Sequence, residues 1–304
     1  MRPLEIGLVL PIGQIFAADG RTPGWTEIRQ LALRAEQMAF DIVWISDELL
    51  WRATDPNPQG FWEGVAMTGA VAASTSRIKV GTWILSALHR NPGITAKVAE
   101  TIDEVSGGRF VFGLGAGHAG SQAHAFGLPE DHVVGRFEEA VQIIVPLLRG
   151  ERTDFQGDFH AARNLVQQPV GPRPGRIPLL IGAKGPRMLR IAALHADIWS
   201  WFVEERSEVT EFAPRLAAFE DACEAVGRDP ATAGKSAGIV VEPTSVGGSE
   251  AQFGTPIRGS AAAIAEAMQS FALAGFTNLE VVLWPPTAVA LDAMAPVLEL
   301  IDAG

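Results

Sequence analysis

Short apolar, β-branched runs alternate with helical runs eight times along this 304-residue chain. The strand-like runs cover residues 5–10, 42–46, 78–85, 110–114, 179–182, 197–202, 236–241 and 279–283. Their apolarity is nearly continuous, as expected of parallel strands covered on both faces. The helical patterns between and after them cover 25–39, 61–74, 92–105, 133–148, 186–194, 207–226, 261–274 and 288–301. In the first, Ile28, Leu31, Ala32, Ala35 and Met38 recur at helical spacing. Pro92 suits a first helical position, and Ser260 an N-cap. Eight such units predict an α/β fold, a closed (β/α)8 TIM barrel, with a doubly wound open sheet as its competitor.

Two segments interrupt the rhythm. Residues 151–177 carry Thr153-Asp154-Phe155-Gln156-Gly157-Asp158-Phe159-His160, a hairpin-like insertion before strand five. Residues 243–259, with Gly247-Gly248-Ser249 and Gly254-Thr255-Pro256, read as a long mobile loop after strand seven. Neither is long enough to be a domain, so residues 1–304 read as a single barrel domain.

Composition removes several function classes. A net charge of −11 leaves no basic footprint for nucleic acid. Tyrosine is absent, which excludes a phenolic acid or base. A single cysteine, Cys223, excludes an internal disulfide and a cysteine metal cluster, and reads as a packed thiol. The first eleven residues are too short and punctuated for a signal peptide, and no window approaches a membrane span. The expectation is a cytoplasmic protein acting on a small molecule, with no membrane or nucleic-acid partner; a homodimer is compatible with the chain.

The chemistry-bearing motifs all fall at strand ends. Gly107-Gly108-Arg109-Phe110-Val111-Phe112-Gly113-Leu114-Gly115-Ala116-Gly117-His118 reads as turn, strand and glycine cluster. Glycines there let backbone N–H groups approach an anion closely. The run Gly115 to Gly120 formally matches G-x-G-x-x-G but follows the fourth strand rather than the first. It is read as a dinucleotide fingerprint, another phosphate- or ring-binding loop, or a structural turn. Gly182-Ala183-Lys184-Gly185-Pro186 opens the fifth helix, where free N–H groups and Lys184 favour an anion, or form an ordinary βα turn. Asp47 and Glu48 end strand two, as an acid–base pair or as a helix cap with a solvated neighbour. Trp51 is placed to wall a planar ligand or to pack at the rim. His118, His124 and His132 lack metal-site spacing, and no G-x-S-x-G elbow occurs.

Taken in order, these residues resemble the luciferase-like monooxygenase superfamily. The resemblance is carried by Phe40-Asp41-Ile42-Val43-Trp44-Ile45-Ser46-Asp47, Arg90-Asn91-Pro92, Gly107-Gly108-Arg109-Phe110, Gly113-Leu114-Gly115-Ala116-Gly117, the stretch from Pro178 to Pro186, Ala196-Asp197-Ile198-Trp199, Gly254-Thr255-Pro256 and Ala274-Gly275-Phe276. It implies a barrel binding F420 or FMN, and is nearest the F420-dependent reductases and dehydrogenases. That implies hydride transfer between the deazaflavin and a small organic substrate. The alternatives are an FMN-dependent two-component monooxygenase and a flavin-binding barrel without turnover. By the resemblance, Thr82, Trp83 and Ile84 form a bulge under the ring, with a cis bond between Trp83 and Ile84. Gly115, Ala116, Gly117 and His118 line ring and tail, and Gly182, Ala183, Lys184 and Gly185 approach the phosphate. The family carries histidine after the strand-two aspartate, where this chain has Glu48. Glu48, Asp47 and His118 are therefore the candidate proton-handling groups.

Overall fold

Strand pairing closes on itself. In the computed structural model, which describes residues 4–16, 21–243 and 254–303, eight strands form one parallel barrel. They are β1 (Glu5–Val9), β2 (Ile42–Ile45), β3 (Lys79–Thr82), β4 (Phe110–Gly115), β5 (Leu179–Gly182), β6 (Ile198–Phe202), β7 (Gly234–Glu242) and β8 (Asn278–Leu283). Each pairs in parallel with the next in chain order, and β8 pairs with β1. This closure removes the open sheet from contention. The helices α1 (Trp25–Gln37), α2 (Gly64–Ser74), α3 (Pro92–Ser106), α4 (Val133–Leu148), α5 (Pro186–His195), α6 (Val209–Ala225), α7 (Ala261–Leu273) and α8 (Ala295–Ala303) follow the strands.

Local chemistry sets the helix ends. Asn91 Oδ1 accepts from Gly93 N at 2.9 Å, capping α3 just before Pro92. Gly107 closes the same helix at φ 64°, a conformation that costs a glycine little. Ser260 caps α7 as expected. Arg109 then ties the amino-terminal face together: its guanidinium donates to the carbonyls of Ala72, Thr75 and Ile78, and its Nε to that of Ser106. This arginine of the glycine-rich motif is a structural clamp, at the end of the barrel away from the cavity described below.

The strand register puts an unusual set of residues on the inner face. Gly7 is level with Glu280, Trp44 with Gly81, and Ser200 with Ser236. The Trp44 indole crosses both neighbouring strands because both carry glycine there. A Cβ on Gly7 or on Gly81 would come within 2.2 Å of the ring.

Four features differ from the sequence expectation. The third strand stops at Thr82 and resumes at Leu85–Ser86, because the chain turns at Trp83 and Ile84. The second helix starts at Gly64, since Gln59–Gly60 pairs instead with Leu50–Trp51. A short helix, Ser121–Phe126, was not anticipated. The last helical pattern splits into Ala288–Asp292 and α8. The insertion forms the expected antiparallel hairpin, Thr153–Gln156 with Ala161–Leu165. Residues 244–253 of the expected mobile loop lie outside the described residues, while Ile257–Arg258 extends the edge of β7. Among the described residues, no helix is long and apolar enough to cross a membrane.

Candidate active site

A cavity of about 520 Å³ opens at the carboxyl ends of the strands. It gathers Asp47 and Glu48 after β2, Trp51 on the small hairpin, Trp83 and Ile84 after β3, Ala116, Gly117 and His118 after β4, and Gly182, Ala183, Lys184 and Gly185 at the end of β5. Thr82 and Gly115 stand behind this wall rather than in it. Thr82 Oγ1 donates to the Gly113 carbonyl at 2.8 Å and accepts from Gly113 N at 2.9 Å. The Trp83–Ile84 peptide is cis, as the resemblance implies.

The glycine clusters have a packing cause that the sequence did not disclose. A Cβ on Gly115 or on Gly182 would lie 2.4 Å from Ile84 Cδ1. One on Gly113 would meet the Thr82 carbonyl at 1.9 Å, and one on Gly117 the Ser86 Oγ at 2.2 Å. These glycines admit the 82–86 segment to the barrel mouth, while Gly117 and Gly182 also line the cavity. Gly185 is different. A Cβ there would meet nothing within 4 Å, and it is the N-cap of α5 with no side-chain cap. The start of α5 therefore offers free N–H groups beside the cavity. Lys184 stands next to it, ion-paired with Glu204.

Asp47 is wholly committed to its neighbours. Its side chain is buried; Oδ2 accepts from Arg90 Nη1 at 2.7 Å and from Ser86 N at 2.9 Å, and Oδ1 accepts from Arg90 Nη2 at 2.8 Å. His89 Nδ1 lies 3.2 Å from Oδ2. Burial pushes this carboxyl up, but His89 and Arg90 outweigh burial and hold it below its ordinary value. A carboxylate with this many donors orients the loop carrying Ser86 and His89.

Glu48 is the more available group. Oε2 accepts from Gln122 Nε2 at 2.7 Å, and Oε1 lies 3.4 Å from His118 Nδ1. Burial again pushes the carboxyl up, and His118 and Gln122 bring it below its ordinary value. The contact with Glu48 raises His118 above the usual histidine value, against its own desolvation. Each member thus favours the charged form of the other, and the imidazole is the member whose ordinary value lies near neutral pH. Gln122 comes from the unexpected short helix, where its Oε1 also accepts from Leu49 N at 2.7 Å.

Beneath the cavity lies a group that sequence reasoning missed. Glu280 is fully buried inside the barrel. Its Oε2 accepts from Trp83 Nε1 at 2.7 Å and Ser200 Oγ at 2.9 Å, and its Oε1 from Ser236 Oγ at 2.8 Å. The signal was present as one charged residue inside the apolar run of β8. Among the described residues, no cluster of three or more histidine, cysteine or carboxylate side chains could hold a metal.

The family profile described as luciferase-like monooxygenase matches residues 4–252. The 5,10-methylenetetrahydromethanopterin reductase of Archaeoglobus fulgidus is 33% identical over 174 residues, covering 56% of this chain and 47% of that protein. The F420-dependent glucose-6-phosphate dehydrogenase of Nakamurella multipartita is 33% identical over 194 residues, covering 62% of this chain and 55% of that one. The chain thus spans about half the length of these curated relatives. Among solved structures, an F420-dependent secondary alcohol dehydrogenase in complex with an F420–acetone adduct superposes with TM-score 0.80 at 18% identity, over 99% of both chains. A long-chain alkane monooxygenase superposes with TM-score 0.78 at 14% identity, over 100% of this chain and 92% of that one. Both structural likenesses concern the fold.

Proposed function

Because this chain belongs to the luciferase-like monooxygenase family, we propose that it is an F420-dependent oxidoreductase moving a hydride between the deazaflavin and a small organic substrate. The observation carrying the proposal is that one cavity brings together Trp83 and Ile84, the open start of α5 with Lys184, and the Glu48–His118 pair. The relative named as an F420-dependent glucose-6-phosphate dehydrogenase supports it.

The residues present fit such a cofactor. Gly185 leaves backbone N–H groups accessible where a phosphate would rest, and Lys184 can turn from exposed Glu204 toward an anion. Trp51, Trp83 and Ile84 give flat apolar surface for a ring system. When bound, F420 supplies the hydride-carrying carbon, C5 of the deazaflavin. The protein supplies orientation and proton handling. His118 Nδ1 faces Glu48, which leaves Nε2 to give a proton to, or take one from, a substrate oxygen. Asp47 holds the loop that closes this side.

The other walls suggest the substrate's character. Phe16, Phe61, Met188 and Trp201 line the cavity, and an apolar body suits them. Lys184 is paired with Glu204, His118 with Glu48, and Arg90 behind the wall with Asp47 and Glu63. Among the residues lining this cavity no arginine and no second lysine faces a substrate phosphate, so an uncharged alcohol or carbonyl compound suits these walls better than a sugar phosphate. The second reading, FMN-dependent monooxygenation, draws on the fold shared with the alkane monooxygenase. Parallel calorimetric titration with F420 and FMN separates the two. Saturable F420 binding with much weaker FMN binding is expected, and the reverse order would replace the proposal with the monooxygenase reading.

A further inference from the structure

We propose that Glu280 is a positioning residue for the flavin site: its buried carboxyl group fixes the Trp83 indole and the Ser200 hydroxyl that together form the cavity floor. The proposal rests on the flavin reading above and adds a residue outside the cavity wall to it.

Three observations carry it. Glu280 has no solvent contact, so its polar contacts are all with the protein. Two of its three donors, Trp83 and Ser200, line the cavity, and the third, Ser236, lies on β7 level with Ser200. Trp83 reaches this carboxyl group from the end of β3, three strands away from β8 around the barrel. That contact holds one end of the indole. The other constraint is Phe202, which meets the ring edge-on at 5.1 Å between centroids and 85° between planes. An indole held at both places has one orientation. Burial pushes the Glu280 carboxyl above its ordinary value, with the three donors acting in the opposite direction.

An apolar interior would pack this space without a desolvated carboxyl. A single buried acid whose partners are the residues facing the ligand is better explained by what it orients. Such a group specifies geometry rather than adding stability, because its desolvation offsets much of what its contacts return.

The test has one arm without cofactor and one with it. In the 15N-labelled protein, the Trp83 indole N–H is assigned by its loss in Trp83→Phe. Its hydrogen exchange should accelerate at least about tenfold in Glu280→Leu, and should stay within about threefold of the parent in Glu280→Gln, which keeps an acceptor. The F420 dissociation constant should rise about tenfold in Glu280→Leu, and Glu280→Gln should restore it to within about threefold. Trp83→Phe should cost a similar amount, and the double variant with Glu280→Leu should be no weaker than the worse single variant. Unchanged indole exchange in Glu280→Leu, an unchanged F420 constant, or penalties that multiply in the double variant would overturn the proposal. If Glu280→Leu does not fold, Glu280→Asp decides, since it keeps the acid and draws its oxygens back from Trp83 Nε1 by one methylene; unchanged indole exchange and an unchanged F420 constant there overturn the proposal. A parent protein that binds neither F420 nor FMN defeats the flavin reading, and the exchange arm still reports separately on the Glu280–Trp83 tether.

Discussion

Glu48 Oε1 and His118 Nδ1 stand 3.4 Å apart at the mouth of the cavity, on the loops that follow β2 and β4. The resemblance places a histidine at position 48, and this chain has a carboxylate there. In its place an imidazole from the loop after β4 stands against that carboxylate. On the reading proposed above, proton handling falls to the pair, with Glu48 acting on the charge of His118 and His118 carrying the labile proton.

The pair makes a signed pH prediction. Glu48 is lowered in the fold, so its contribution to stability is complete above its ordinary value of 4.5 and is lost as pH falls through its folded value. His118 is raised, so its contribution is complete below 6.5 and is lost as pH rises through its folded value. NMR titration of the His118 ring should give a midpoint above 6.5, and Glu48→Gln should bring it down. With F420 bound normally, Glu48→Gln should lower turnover by about 10²-fold or more, and a loss under about tenfold would reduce Glu48 to a structural role. Glu48→His tests whether the imidazole at 118 has taken over. If it has, the substitution lowers turnover, because it removes the charge that holds His118 protonated.

Asp47→Asn should act on the fold before it acts on chemistry. It removes one side of a buried bidentate pair with Arg90 and leaves that guanidinium with exposed Glu63. Breaking such a pair costs about 3 kcal/mol. A clear fall in denaturation midpoint is expected. A variant of parent stability with abolished turnover would instead place Asp47 in the chemistry.

The barrel was legible because each strand's apolar run and each helix's period report burial, and burial is what the fold distributes. The helix start at Pro92 and the cap at Ser260 followed from side-chain chemistry that acts within a few residues. Contacts distant in sequence were not legible. Gln122 sits on a helix of six residues, too short to show a period, yet it holds Glu48 across 74 positions. Glu280 announced itself only as a charge inside an apolar strand, and its partners Trp83, Ser200 and Ser236 come from three other places in the chain. The glycines were conspicuous, but the sequence could not say whether ligand or protein would fill the space beside them.

That last distinction is testable by adding one carbon. Gly113→Ala puts a Cβ against a backbone carbonyl at 1.9 Å, which cannot be relieved by rotating a side chain. It should destabilise by about 3 kcal/mol, the upper end for overpacking. Gly182→Ala meets only the Ile84 side chain, so Ile84→Val in the same chain should recover part of its loss. Gly185→Ala has open space and should leave thermal stability within about 0.5 kcal/mol. If Gly113→Ala and Gly185→Ala melt alike, the packing explanation of the cluster is wrong.

Lys184 separates an anion-binding role from a surface ion pair. Its side chain is 56% exposed and that of its partner Glu204 43%, so the pair itself contributes little to stability. Lys184→Glu should therefore leave the denaturation midpoint nearly unchanged. It places a second carboxylate beside Glu204 at the open start of α5, and any phosphate or carboxylate tail held there would be repelled. The F420 dissociation constant should rise about tenfold at low ionic strength. At molar salt, where screening acts over about 3 Å, that difference should shrink to about twofold. A constant that does not move at low salt would show that the cofactor's anionic tail lies elsewhere. A loss that persists at high salt would show that the substitution distorted the turn rather than its charge.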